Sequence, residues 1–523
     1  SIQAKLERGI FMRQWGRILL LCIFVCWSSA VVQAQQIQLD ILTVNDFHGA
    51  LAPEERRPGA AVLMAAIEQE RAANPQGTLL LAAGDMLQGS VDSNLLYGRP
   101  VVEMMNAMQV DAMALGNHEF DWGLRVLQER VKEAQFPFLC GNVVDKQTAM
   151  PLEFVKPYVI LERQGVKIAV IGAVTQETLY KSHPNAVYGL EIQDPAVRLN
   201  AWAQEARKHG ASIVIALTHL SSYIDKNGKI TGEAADVAEK LAGVNVLVSA
   251  HSHERVAGFV KGIAVLQAEA YGRGLGKVHL SYDSKMKTVQ MLSASVTDLV
   301  THPVPPEPRM QELVRRQEEP ILALKEQAVG SSLYPLGHSR NTFSPLGQWV
   351  ADAMRSSVQA DVAFLNGGGV RLGLPAGEIS LGQVYAALPF DNTLYTVQLS
   401  GKQIRKILEH GLFNPTFGML QFSGLKVVCD PEMPEGARVK EVRLASGDEL
   451  ADGKHYLVVA NDFMAAGGDG YTMLREGLEG RDTYIVLRDI VLHEMKRQQP
   501  IDFTGDERLL ERKGDSLRLP DAA

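Results

Sequence analysis

From Ile37 to Asp283 short apolar runs recur, and each gives way to polar residues. The runs are "IQLDILTV", "TLLLAAG", "VDAMALG", "KIAVIGAV", "SIVIALTH", "VNVLVSA" and "IAVLQA". Each is too short for a buried helix and most are bounded by Gly, Asn, Asp or His, so the pattern predicts strands. Between some of them lie stretches with helical apolar spacing, "AAVLMAAIEQERAA" and "GEAADVAEKLAG". This alternation predicts an α/β domain whose strands are buried on both faces, with ligands expected beyond the strand ends. "THPVPPEP" (Thr301–Pro308) breaks the pattern and reads as a linker. "RMQELVRRQEEPILALKEQAVG" then predicts a helix interrupted or kinked near Pro320. A second mixed domain is expected from near Gly330 to about Asp506, followed by a surface tail.

The start of the chain has a different pattern. "MRQWGRILLLCIFVCWSSAVVQA" (Met12–Ala34) joins two arginines to an apolar core and a small-residue end, with Val32 and Ala34 at the −3 and −1 positions of a cleavage site. We expect a true start at Met12 and a cleaved secretory signal, since the apolar core is short for a membrane span and polar "QQIQ" follows it. Secretion to the periplasm or the exterior, without a stable membrane anchor, is the corresponding expectation.

Composition narrows the chemistry. At 523 residues there is room for several domains, and 46% hydrophobic with 21% charged residues is globular. A formal net charge of −8 and no basic stripe argue against nucleic acid as a partner. Of four cysteines, Cys22 and Cys26 lie in the leader. Cys140 and Cys429 are too few for a disulfide framework or a thiolate zinc site, so both are expected to be buried, inert thiols.

The residues after five strands share one kind of chemistry. "VNDFHG" supplies Asp46 and His48, "AAGDMLQGS" Asp85, "LGNHEFD" Asn117, His118 and Asp121, "ALTHLSS" His219, and "SAHSHE" His251 and His253. On an extended segment the pairs 46/48 and 251/253 would each point one way. A single strand-end His or Asp means little, but five such elements exceed what turn formation requires. Imidazoles, carboxylates and an Asn oxygen without thiolate suit Zn²⁺, Mn²⁺, Fe²⁺ or Co²⁺. The number of donors exceeds one tetrahedral site and fits two ions that share a bridging Asp.

The string DxH…GDxxxGS…GNHEFD…TH…HxH resembles the calcineurin-like metallophosphoesterases, specifically the 5′-nucleotidase/UDP-sugar hydrolase family. The resemblance implies a four-layer α/β/β/α metallophosphoesterase domain followed by a smaller α+β substrate-binding domain. It divides the chain into a leader (1–34), the metallophosphoesterase domain (37–295), a linker with helix (296–330), the substrate-binding domain (331–510) and a tail (511–523). It assigns one divalent ion to Asp46, His48, Asp85 and His253, and the other to Asp85, Asn117, His219 and His251. His118 with Asp121 resembles the family's catalytic dyad. Glu119, between them, is expected at solvated surface or in an outer contact. The sequence departs from the pattern in two places: "SAHSH" replaces a Gly-rich start, and His253 stands where some members have Gln.

In the second domain "FLNGGGVRLGLPAGEIS", "ALPFDNTLYTVQLSG" and "NDFMAAGGDGY" resemble the family's nucleotide-binding segments. The resemblance implies phosphate binding by Arg371, base stacking by Phe463, ribose contact by Asp469, and Asn392 as a further substrate residue. The partner aromatic of Phe463 falls at Met419 in this register, with Phe417 and Phe422 close by. The implied activity is release of phosphate from nucleoside 5′-monophosphates, extending in the family to di- and triphosphates and UDP-sugars. The rivals are a 2′,3′-cyclic-nucleotide phosphodiesterase/3′-nucleotidase, a thiosulfohydrolase, a nuclease, and a non-catalytic nucleotide-binding protein.

Overall fold

The computed structural model describes residues 36–54, 56–182, 185–513 and 516–518. The expected signal segment lies outside the described residues. The seven expected strands all form, among them Gln36–Val44, Thr78–Ala82, Ala112–Ala114, Val166–Val174 and Ile213–His219.

Two six-stranded sheets build the first domain. In one, Gln36–Val44 pairs in parallel with Thr78–Ala82, which pairs in parallel with Ala112–Ala114. In the other, Val166–Val174, Ile213–His219, Val246–Val248 and Ile263–Ala268 run in parallel. Alternate residues of the two sheets interdigitate in a shared core, Leu39, Ile41 and Leu81 from one against Ile168, Ile215 and Val248 from the other. The opposite sheet faces are covered by helices. Gly59–Ala73 buries Ala60, Leu63, Met64 and Ile67, a helical stripe, on the first sheet. Pro195–Lys208, started by Asp194 accepting from the Val197 N–H at 3.1 Å, covers the second. The layers are therefore α/β/β/α, as the resemblance implies. Two strands without a strong apolar signal, Gly274–Asp283 and Thr288–Asp298, extend the first sheet by antiparallel pairing.

Helix Pro308–Lys325 follows the linker and continues through Pro320, so of the two expected outcomes, interruption or kink, the interruption does not occur. A ring at that position removes one N–H donor, which a helix can tolerate when it is held by packing. That packing comes from helices Gly59–Ala73 and Arg99–Ala107 of the first domain.

The second domain centres on a five-stranded sheet with a four-stranded sheet beside it. Its two cores lie on opposite sides of the central sheet, one including helix Gly401–Gly411 and the other helices Pro345–Ser357 and Leu487–Arg497. Cys140 and Cys429 are buried and unbonded in different domains, and burial pushes both thiols up to about 12. Among the described residues no helix is long and apolar enough to cross a membrane.

Candidate active site

Parallel strands put their carboxyl ends on one side, and the loops that leave them converge between the two sheets. The Asp46 N–H donates to the Gly84 oxygen at 3.0 Å, and the His48 N–H to the Asp85 backbone oxygen at 3.1 Å. These residues do not lie on extended backbone as the two-residue spacing suggested. Asp46, His48, Asp85, His251 and His253 all have positive φ, between 47° and 73°. Left-handed backbone at five non-glycine residues is costly and is retained where the surroundings fix it for a purpose. The convergence is thus made by turns rather than by strand alternation.

Two groups of side chains result. Asp46, His48 and His253 place one donor atom each within 4.8 Å of one another, and Asp85, His219 and His251 do the same. His48 Nε2 and His253 Nε2 are 3.1 Å apart, and His219 Nε2 is 3.0 Å from Asp85 Oδ2. His251 Nδ1 faces His219 Nε2 at 3.3 Å. Asn117 is buried and lines the same cleft, and its Oδ1 has no partner. A buried carbonyl oxygen without a donor, beside clustered imidazoles and carboxylates, is what a cation would satisfy. The residues present therefore fit two divalent ions.

The protonation states show which of these donors are ready for an ion and which must first lose a proton. Burial pushes His48 down to about 3, and burial with the neighbouring His48 takes His253 well below its usual range. Both are thus neutral donors. Burial would raise Asp85, yet the His219 and His118 imidazoles hold it well below the carboxylate range. His219 moves up to about 10, because Asp85 and Asp46 outweigh its own burial. Burial, with Asp85 adding repulsion, pushes Asp46 up to about 7. In the metal-free protein at neutral pH, protons thus sit where ions would bind. We expect metal uptake at pH 7 to release protons, and affinity to fall as pH is lowered, because protonation stabilises the empty site. Calorimetric titration with Mn²⁺ in buffers of different ionisation enthalpy measures this; a heat independent of buffer would contradict it.

His118 belongs to neither group. Its Nδ1 lies 2.7 Å from Asp121 Oδ2, and its ring stacks on Phe390 of the second domain with centroids 5.9 Å apart. Burial would lower the imidazole, but Asp121 and Asp85 raise it, so the cation is favoured. Its backbone N–H donates to Asp85 Oδ1 at 2.8 Å, which ties the dyad to the metal cluster.

Glu119 is not at the surface. It is buried, and its carboxylate accepts from four backbone N–H groups: Asp85 and Gly116 on Oε2, Met86 and Leu87 on Oε1, at 2.7 to 3.2 Å. Burial, with the Asp85 charge beside it, pushes this carboxyl up to about 7, and the Gly116 and Asp85 N–H donors oppose that shift. The Asp85 loop and the Gly116 turn are thereby held together. They approach so closely that a Cβ on Gly116 would lie 2.1 Å from Asp85 Oδ1.

The other wall of the cleft comes from the second domain. Arg371, Asn392, Phe463 and Asp469 line the same cavity, of about 600 Å³, as Asp85, Asn117 and His118. Phe463 lies flat over Gly468, where a Cβ would meet its ring at 2.5 Å. Asn392 donates to Asp462 Oδ1 at 2.9 Å. Asp469 accepts from Asn366 Nδ2 at 2.7 Å and pairs with Lys181 of the first domain at 3.6 Å. Met419 is corrected: at 2% exposure it sits in the core with Leu412, Leu420 and Tyr471, and it is not among the lining residues. Phe422 is core as well, packed on Phe343. Phe417 is half-buried beside His410, Tyr180 and Lys181. Sequence reasoning missed Arg340, Lys181 and Glu177, all lining residues without a motif of their own.

Fold and site together define a two-domain metallophosphoesterase. A calcineurin-like phosphoesterase model matches residues 39–255, and a 5′-nucleotidase C-terminal domain model matches 328–476. Over 499 residues the chain is 30% identical to a snake venom 5′-nucleotidase of Naja atra, covering 84% of this chain and 92% of that protein. It is 31% identical over 511 residues to the endonuclease YhcR of Bacillus subtilis; the match takes in 91% of this chain but only 41% of that longer protein. The crystal structure of a 5′-nucleotidase precursor from Thermus thermophilus superposes with a TM-score of 0.80 at 28% identity, covering 91% of this chain and 99% of that one. The chain belongs to the 5′-nucleotidase family of calcineurin-like metallophosphoesterases.

Proposed function

We propose that the protein is a secreted, two-metal phosphohydrolase that releases phosphate from nucleoside 5′-monophosphates. The observation that carries the reading is that the metal-competent cluster and the candidate nucleoside residues share one cleft. Asp46, His48, Asp85, Asn117, His219, His251 and His253 would hold two divalent ions, which would supply a nucleophile at neutral pH and polarise the phosphoryl group. Arg371 offers a planar guanidinium to phosphate oxygens. His118, kept cationic by Asp121, stabilises charge that develops as the phosphoryl group transfers. Phe463 stacks on the base, and Asp469 with Asn392 orients the sugar. Nucleoside di- and triphosphates and UDP-sugars, which place a longer anion in the same cleft, belong to this proposal too.

Phosphate release from AMP by the purified, Mn²⁺-loaded protein tests the reading, with 3′-AMP, 2′,3′-cyclic AMP and a single-stranded oligonucleotide beside it. A second reading, phosphodiester cleavage, rests on the similarity to YhcR. Turnover of cyclic or polymeric substrate well above AMP would favour it over the first. Phe463→Ala checks the base site. Base–aromatic stacking is worth about 1–3 kcal/mol, so KM for AMP should rise roughly 5- to 150-fold while p-nitrophenyl phosphate is spared. Equal losses on both substrates would assign Phe463 to folding alone.

A further inference from the structure

Among the described residues, one short segment of the first domain, residues 175–182, hydrogen-bonds to His219 and His251 of one donor group and to the neighbouring Asn117, and to none of Asp46, His48 and His253. At its start the Thr175 N–H donates to the backbone oxygen of His219 at 3.1 Å. At its end Ser182 Oγ donates to the backbone oxygen of Asn117 at 2.6 Å. Between them Glu177 Oε2 lies 3.1 Å from His251 Nε2, while the other ring nitrogen, Nδ1, faces His219 and Asp85. The Thr175 hydroxyl accepts from the Glu177 N–H at 3.1 Å, which fixes where that carboxylate starts.

The other histidines are held differently. His48 Nδ1 is bound by the Gln88 backbone oxygen at 2.9 Å, and His219 Nδ1 by that of Ala83 at 2.8 Å, both neutral acceptors. Among the described residues His251 alone of the four turns its outer nitrogen to a carboxylate. An anionic acceptor fixes the tautomer with the proton on Nε2, leaves the Nδ1 lone pair free for an ion, and raises the ligand's basicity.

We propose that Glu177 is a positioning residue for the ion held by Asp85, Asn117, His219 and His251, and that it makes this site the tighter of the two. The proposal rests on the two-metal reading above. Backbone contacts from Thr175 and Ser182 set where the ligands stand, and Glu177 sets the orientation and donor strength of the one imidazole they do not reach. In the site built from Asp46, His48 and His253 no carboxylate holds the outer nitrogen of an imidazole among the described residues: His48 Nδ1 meets the Gln88 backbone oxygen, and His253 contacts other members of the centre and the Tyr271 ring.

The test is Mn²⁺ binding to the metal-free full chain, followed through the paramagnetic resonance signal of free Mn²⁺. The wild type should bind two ions with distinct constants. Glu177→Ala should weaken the tighter site about 10- to 100-fold and leave the weaker one unchanged. Glu177→Gln, which still offers an oxygen to Nε2–H, should fall between. In a His253→Ala background, where the remaining ion lies with His251, adding Glu177→Ala should cost the same factor. Wild-type constants in both Glu177 variants would overturn the proposal. So would a higher KM for AMP with both Mn²⁺ constants intact, which would make Glu177 a substrate contact. A wild type that binds fewer than two ions would overturn the two-metal reading instead, so the two failures are distinguishable.

Discussion

Replacing His118 by Asn should lower kcat roughly 10²- to 10³-fold, the range for removing a preorganised donor to transition-state charge, and leave metal content unchanged. The side chain lies outside both metal groups, and its one strong partner is Asp121 at 2.7 Å. Asn keeps the backbone N–H that holds Asp85 Oδ1 and keeps a neutral side-chain donor, so the centre stays assembled while the cation is lost. Asp121→Asn should give a smaller loss and shift the alkaline limb of the rate profile downward in pH, because Asp121 is the leading influence raising the imidazole against burial and the required cation would then be lost at lower pH. Metal analysis of His118→Asn beside its kinetics makes the check. A variant that loses an ion would mean that His118 is a ligand, not part of a dyad.

The strand ends were legible because a buried parallel sheet needs uninterrupted apolar runs, so a His or Asp directly after one stands out against its surroundings. Asp46, Asp85, Asn117, His219, His251 and His253 stand out by that contrast, and the structure brings the Asp and His residues into two donor groups with Asn117 beside them. The backbone that brings them together was not found from it. Spacing suggested extended pairs, whereas the structure uses left-handed turns at Asp46, His48, His251 and His253, and nothing in a two-residue interval distinguishes the two. Residues whose role depends on tertiary neighbours were also invisible. Lys181 and Glu177 lie in a polar stretch that reads as ordinary surface, and only the packing of the second domain makes Lys181 a partner of Asp469.

Register carried over from the resemblance failed at one place for a physical reason. Met419 occupies the position expected for a stacking aromatic, but its side chain fills the core and its sulfur receives the Phe413 N–H at 3.2 Å. A flexible thioether is a good filler of irregular core space and gives no flat face to a base. The strands Gly274–Asp283 and Thr288–Asp298 were missed because the second alternates between half-buried and exposed positions and has no sustained apolar run. Sheet extension by an outer strand depends on its partner more than on its own hydrophobicity.

Replacing Glu119 should do more damage than any substitution outside the metal groups. Its two oxygens accept four backbone N–H groups, two each, from loops that carry Asp85 on one side and Asn117 on the other. Glu119→Ala leaves four donors without acceptors in a region that water does not reach. At about 1–3 kcal/mol for each such donor, and with partial relaxation, a destabilisation of at least about 3 kcal/mol is expected. For a domain of this size that is a fall in melting temperature of roughly 6–12 °C, together with loss of metal. Gln discriminates between charge and shape. A carboxamide has one acceptor oxygen, and its NH₂ would point at two N–H donors, so Glu119→Gln should approach Ala rather than the wild type. Calorimetry and metal analysis of the two variants decide the matter. If Glu119→Gln melts like the wild type and keeps two ions, the four-donor arrangement is not what holds the loops, and the backbone turns at Asp85 and Gly116 must hold their geometry unaided.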